Sequence, residues 1–320
     1  MTTSGSADPG FLIVGMPRSG TTLVQRLASE LDDVIVPPET HYFSSGFAAT
    51  VARAGFPLDH ARLTDLLTQY AALPQLEGLS LQPSAIADRL NGSCTSTIEL
   101  FGGIVRELAG DGPLVGEKTP GHLLWWRSIS AMLPRAKMIF VVRDPRAVFA
   151  SQRQLPWGTN DVRRFGRRWD AQQREVRTAV AHLGSARSTV VRYEDLVRDP
   201  DACRRQLGEF LGRRVANTEA GLGEDAPKAL FTERERWKYD ALRPITTSSI
   251  EAWRAELSPE VVNVLHSTCA AEMRRHGYVV PKGSARSGGI LAKLGNVRYR
   301  LSHRRMVLAQ HRAITAGTAR

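Results

Sequence analysis

The chain has 320 residues, with 43 Lys or Arg against 32 Asp or Glu, a formal net charge of +11 and 42% hydrophobic residues. This is the composition of a globular chain with ample core, and it excludes a low-complexity or disulfide-built molecule. The charge is concentrated at one end: residues 281–320 hold nine Lys or Arg and no Asp or Glu, leaving only +2 for the rest, so a nucleic-acid partner is not expected.

No apolar run approaches the ~20 residues of a membrane span. The opening MTTSGSADPG lacks the basic and apolar segments of a secretory signal. Cys94, Cys203 and Cys269 are odd in number and widely spaced, which suits a reduced, cytoplasmic protein.

In chain order, residues 1–10 read as disordered. Phe11 to Val14 is a short buried strand and Thr21 to Leu31 a helix. Between them runs Gly15-Met16-Pro17-Arg18-Ser19-Gly20-Thr21-Thr22. A strand, a glycine-bearing loop and a helix N-terminus make an anion seat, because backbone N–H groups and the helix dipole converge there. The Gly15 to Gly20 spacing is that of the nucleotide loop GxxxxGKS/T, but Thr21 stands where that motif has lysine, and the cation is Arg18, inside the loop.

An extended stretch ends at Pro37-Pro38-Glu39-Thr40-His41. Residues of about 44–112 read as broken helices, at Leu58–Leu73, Pro83–Leu90 and Thr95–Leu108, a helical lid inserted between strands. Pro113–Thr119 is a second strand, His122–Leu133 a helix, and Lys137–Val142 the strongest strand. Asp144 caps a helix that Pro145 opens. A long Arg-rich helix covers Asp161–Leu183, Ser188–Tyr193 is another strand, and Pro200–Leu211 a helix. Gly223–Thr247 is irregular, two helices run from Ser249 to His276, and 281–289 is a linker. The alternation predicts an α/β fold with a central parallel β-sheet flanked by helices, a domain over 11–280, and ligands at the strand ends, where Arg18, Lys118 and Arg143 fall.

PRSGTT after an apolar strand resembles the 5′-phosphosulfate loop of sulfotransferases that use 3′-phosphoadenosine 5′-phosphosulfate (PAPS). Further segments fit in the same order. RDPRAVFAS resembles the family's 3′-phosphate element, with Arg143 and Ser151 at its matching positions. Val191-Arg192-Tyr193-Glu194-Asp195 resembles the segment whose tyrosine lies against adenine, although Tyr193 is equally a core residue. Thr246 to Arg254 resembles the late loop over the nucleotide; it keeps Trp253 and Arg254 but lacks the glycines, so Thr247 and Ser248 are either phosphate contacts or a helix cap.

Lys118-Thr119 resembles the KTH of cytosolic members, but Pro120 replaces the histidine that serves them as base. The tyrosylprotein sulfotransferases resemble this chain in placing a glutamate before threonine 21 residues after the loop arginine. That spacing selects Glu39 as base, with His41 the second candidate.

The resemblance implies sulfuryl transfer from PAPS to a hydroxyl or amine acceptor, with Glu39, Arg18 and Lys118 catalytic. It implies a donor site of Arg18, Ser19, Gly20, Thr21, Thr22, Arg143, Ser151, Tyr193, Thr247 and Ser248, and no metal. The acceptor is a small molecule, a glycolipid or a peptide, and a homodimer is compatible. The alternatives are a P-loop kinase-like phosphotransferase and a nonenzymatic basic membrane-binding protein. The tail, 281–320, carries an apolar face at Ile290, Leu291, Leu294, Val297, Leu301 and Leu308 amid Lys and Arg. It either makes a peripheral contact with an anionic membrane or docks on the domain or on a second subunit.

Overall fold

The computed structural model describes residues 8–110, 112–215, 230–282 and 290–315. The disorder expected of residues 1–7 and the linker expected over 283–289 lie outside them. Gly10, expected in the disordered N-terminus, is held from both sides: its N–H donates to Val115 and its carbonyl accepts from Lys137.

The strands are β1 (Phe11–Gly15), β2 (Val34–Ile35), β3 (Leu58–Asp59), β4 (Ser93–Cys94), β5 (Leu114–Lys118), β6 (Lys137–Val142) and β7 (Ser188–Arg192). Five of them form one sheet in the order β2-β5-β1-β6-β7, every neighbour pair parallel. Residues of β1 and β6 alternate between two cores, as a pleat buried on both faces requires. Leu12, Val14, Phe140 and Val142 face one, while Phe11, Ile13, Ile139 and Val141 face the other.

Against the second face lie α1 (Thr21–Ser29) and, later in the chain, Pro200–Leu211, through Leu23, Val24 and Leu27 and through Cys203, Leu207 and Leu211. Residues 44–112 hold α2 (Phe47–Ala54), α3 (His60–Ala71), α4 (Pro83–Arg89) and α5 (Thr97–Ala109), packed into the first core by Phe47, Leu67, Ile86 and Phe101. Here the chain differs from expectation at Leu58–Asp59, which pairs antiparallel with Ser93–Cys94 before α3 begins under an Asp59 cap. Two-residue strands carry no readable alternation. His122–Leu133 is also divided, into a 3-10 turn (Pro120–Trp125) and α6 (Trp126–Met132).

After β6 come α7 (Pro145–Gln152) and α8 (Val162–Arg187); after β7 come α9 (Tyr193–Arg198), which Tyr193 opens instead of ending the strand, and α10 (Pro200–Leu211). Then follow α11 (Ser248–Glu251), α12 (Trp253–Glu256), α13 (Pro259–Arg275) and α14 (Ile290–Thr315). The terminal helix α14 docks on the domain by a side that periodicity did not select. His303, Val307 and Ile314 are buried and His311 Nδ1 lies 2.9 Å from Ser128 Oγ, while Val297, Leu301 and Leu308 of the expected apolar face are exposed. Among the described residues, no helix is long and apolar enough to cross a membrane.

Arg146 ties the end of β6 to the late helices. Its Nε donates to both oxygens of Asp144 at 2.9 and 3.1 Å, and its guanidinium lies 4.2 Å over Trp253 and 3.2 Å from His266 Nε2. Removing one partner of a buried pair strands the other charge, so Arg146→Ala is expected to cost about 3–5 kcal/mol in chemical denaturation. A cost below ~1 kcal/mol, as at a surface pair, would show that water replaces the arginine.

Candidate active site

The chain leaves β1 toward β2 on one side of the sheet and leaves β6 toward β7 on the other. That reversal opens a crevice beyond the ends of two adjacent strands, the usual ligand position in a doubly wound sheet. The loop after β1 lies there. Arg18 (φ 72°) and Gly20 (φ 96°) are both left-handed, which turns the chain tightly into α1. Gly20 is also required by space, since a Cβ there would stand 2.4 Å from Tyr193 Cδ2. Ser19 is fully buried in this loop, and its hydroxyl has no hydrogen-bond partner among the described residues. Thr21 is buried behind it and Thr22 lines the cleft.

Arg143, at the end of β6, lies 4.0 Å over the Tyr193 ring and donates to the carbonyls of Arg18 (3.1 Å) and Ser249 (3.0 Å). Its buried Nε has no partner among the described residues. Asp144, the obvious rival for Arg143, instead caps α7 and pairs with Arg146. Arg18 donates from Nε to Ser151 Oγ at 2.9 Å and from Nη1 to the Trp237 carbonyl at 2.8 Å. Burial first, and then the nearby Arg143, lower the pKa of Arg18. Two guanidiniums forced together beside unpartnered donors form a site that an anion would relieve.

Thr247 and Ser248 are not brought to this cluster. Both are exposed, and Ser248 Oγ bonds Thr246 Oγ1 at 2.8 Å. Their neighbour Ser249 reaches instead, with Oγ 2.6 Å from Tyr193 Oη.

Glu39 stands opposite. Its Oε1 accepts from Lys118 Nζ at 2.5 Å and from Lys238 Nζ, while Oε2 lies 3.3 Å from His41 Nε2. Burial alone would raise the Glu39 carboxyl, but Lys118 and Lys238 outweigh it and hold the group well below the usual carboxylate range. Burial lowers Lys118 to about 8 despite Glu39, and pushes His41 down, so that His41 is neutral near pH 7. Lys238 also binds Glu235. Two lysines thus balance two carboxylates. The ligand atoms of Glu39, His41 and Glu235 lie within 4.8 Å of one another, a three-ligand metal spacing, but the Lys238 ammonium already bridges the two carboxylates.

Behind this cluster Glu117 is buried and bonded throughout. It accepts from Thr40 (2.8 Å) and Thr119 (2.6 Å), and lies 3.0 Å from His122 Nδ1. Phe43 N–H donates to His122 Nε2, so the ring proton sits on Nδ1 and points at Glu117. The EKT of β5 therefore holds the Glu39-Thr40-His41 stretch from below while Lys118 meets Glu39.

The cleft that joins these groups has a volume of about 740 Å³ and is lined by Arg18, Thr22, Glu39, His41, Arg143 and Tyr193, together with Trp157, Trp237 and Lys238. Lys118, fully buried, touches it only through Glu39.

A sulfotransferase family model matches residues 9–217, from the strand before the anion loop to the end of α10. The chain belongs to the sulfotransferase family. It is 24% identical over 282 residues to protein-tyrosine sulfotransferase A of Caenorhabditis elegans, covering 84% of this chain and 67% of that protein. It is 25% identical over 324 residues to the nodulation protein NoeE of Sinorhizobium fredii, covering 90% and 71%. Among solved structures, the sulfotransferase domain from the curacin biosynthetic pathway superposes with a TM-score of 0.57 at 19% identity, covering 85% of this chain and 99% of that one. The sulfotransferase domain of the Synechococcus PCC 7002 olefin synthase gives 0.55 at 20% identity, covering 86% and 96%.

For this sulfotransferase, sequence reasoning missed Lys238, Glu235 and Glu117. Glu117 had a signal, a charged residue inside a buried strand beside Lys118. Lys238 had none: the stretch expected to be irregular forms a 3-10 segment at Glu233–Leu242, too kinked at Glu235 to carry a readable period, and it lies 199 residues from Glu39.

Gly20→Ala is expected to cost about 1–3 kcal/mol in denaturant unfolding, because alanine is strained at this φ and its methyl must displace the Tyr193 ring. A neutral result would mean that the ring moves freely and does not support the loop.

Proposed function

We propose that this sulfotransferase moves a sulfuryl group from PAPS, the donor its family implies, to a hydroxyl on a ring, with Glu39 as the base. The observation that carries the reading is the Glu39 carboxylate, ionised between two lysines and opening on the same cleft as Arg18 and Arg143. The residues suit the donor. Ser19 Oγ and Arg143 Nε are buried donors without partners among the described residues, and the absence of a side chain at Gly20 lets the Tyr193 ring pack directly against the loop. In this reading Arg18, Ser19, Gly20, Thr21 and Thr22 hold the 5′-phosphosulfate. Arg143, Ser151 and Ser249 hold the 3′-phosphate, and Tyr193 meets the adenine. PAPS supplies the activated sulfuryl group when bound.

The chain's own groups supply the rest. Glu39 accepts the acceptor's proton, and Arg18 and Lys118 oppose negative charge on the donor side. A carboxylate bonded to two ammoniums is a weak base. An anion entering the cleft competes for Lys238, which lines it, and Glu39 becomes more basic as the donor site fills. Thr40 and Thr119, fixed on Glu117, keep Glu39 in place during that exchange. With the family shown, the kinase-like and nonenzymatic readings fall away. A ring-borne hydroxyl is supported by the names of the relatives, protein-tyrosine and carbohydrate sulfotransferases, and by Trp157 and Trp237, whose rings meet edge to face at 6.4 Å at the cleft.

Glu39→Gln is expected to lower kcat by about 10²–10⁴-fold while 3′,5′-adenosine bisphosphate still binds by calorimetry. A fully active Glu39→Gln together with an inactive His41→Ala would move the base to His41.

The alkaline limb of kcat/KM tests Lys118. Its ammonium is present below about 8 and lost as pH rises through that value, so activity that needs it declines there. Lys118→Arg should carry this limb above the measurable range, because a guanidinium stays charged. An unchanged limb in that variant would remove Lys118 from the donor side.

A further inference from the structure

We propose that the outer face of α14 is a docking surface for an anionic lipid bilayer, on which the helix lies flat with its apolar stripe in the headgroup region. The helix is already satisfied on its inner side. His303, Val307 and Ile314 are buried against the domain, and His311 bonds Ser128. These contacts run along one edge at helical spacing and place α14 on α2, α6, α8 and the Pro120–Trp125 turn.

The outer side is built differently. Val297, Leu301 and Leu308 are 50%, 55% and 37% exposed. At ~100° per residue they fall within about 40° of one another, so they form one stripe and not scattered surface residues. Arg298, Arg304, Arg305 and Arg312 flank it, all exposed. No Asp or Glu occurs anywhere in residues 281–320 to neutralise them. The basic field continues onto the domain. Arg163 and Arg164 at the start of α8 are exposed, and Arg164 and Arg167 lie near enough to Tyr299 of α14 to oppose the rise that burial gives its hydroxyl.

The combination selects the occupant. Nucleic acid would meet the arginines and leave the Val and Leu side chains in water. A second copy packed face to face would set one row of arginines against another, with no carboxylate on either helix between them. An anionic bilayer meets both features, with phosphates at the arginines and acyl chains at the stripe. With no helix among the described residues apolar enough to span, the contact is peripheral. The turn on which α14 packs begins at Pro120-Gly121, which line the cleft.

The test is co-sedimentation of the full chain with vesicles of phosphatidylcholine alone and of phosphatidylcholine mixed with phosphatidylglycerol. Binding is expected only to the mixed vesicles, and to be lost near 1 M salt, where the screening length is ~3 Å. The Leu301→Asp, Leu308→Asp double variant and the Arg304→Glu, Arg305→Glu double variant should each weaken binding by about tenfold or more. Both should keep the melting temperature and the affinity for 3′,5′-adenosine bisphosphate, since all four side chains are exposed and none lines the cleft. No binding to the mixed vesicles, or equal binding to both kinds, would overturn the proposal. So would a dimer in sedimentation equilibrium that the leucine variant converts to monomer, because the stripe would then belong to a second copy. Binding unchanged in both variants would place the membrane contact elsewhere and equally overturn it.

Discussion

A carboxylate that is 6% exposed and bonded to two ammoniums is the constraint on which the site depends. Glu39 comes from the stretch after β2, Lys118 from the end of β5, and Lys238 from the 3-10 segment Glu233–Leu242. None of these charges is affordable in the interior alone. Each segment is therefore held where the other two need it. The Thr232–Leu242 region, with little apolar packing of its own, is fixed by Lys238 on Glu39, by the Trp237 carbonyl on Arg18, and by Arg26 on the carbonyls of Ala241 and Arg243. Polar contacts to Arg18 and to Glu39 thus close the same wall of the cleft. Loss of the Arg18 or Glu39 contacts therefore removes polar support from that wall.

The sheet supplies the other half of the arrangement. With β1 beside β6 and their connections diverging, the Arg18 loop and the Arg143 turn are set side by side without any side chain having to reach far. Asp144 matters here by what it does not do. Because it caps α7 and neutralises Arg146, the adjacent Arg143 remains directed at Tyr193 and the loop. Burying two arginines together is unfavourable for the isolated protein, and this is the form in which a doubly charged anion can be recognised: the cost is met in folding and recovered on binding.

The two ends of the described chain contrast. Residues matched by the family model build the sheet, the Arg18 loop and the Glu39 stretch, whereas α14 lies beyond that match and adds a basic, apolar-striped surface to the same body. Its inner contacts fix it beside elements that lead into the cleft, which makes the helix an extension of the enzyme's surface and not a separate appendage.

The sequence by itself determined what is local. An apolar run before GMPRSGTT, the RDP turn after KMIFVV, and the strand–helix alternation named the parallel sheet, its anion loop and Arg143, because strand burial, glycine turns and caps are written within a few residues. The 21-residue interval between Arg18 and Glu39 was readable too, through resemblance. Only the tertiary structure decided the partners. That Glu39 meets two lysines and not one, that Glu117 and His122 brace the Glu39–Phe43 stretch, and that Ser249 and not Thr247 or Ser248 reaches Tyr193 all depend on segments up to 199 residues apart. The tail shows the same division. Periodicity specified that one face of the helix is apolar, but which face meets the domain was set by the shape it docks against, and that shape exists only after the domain has folded.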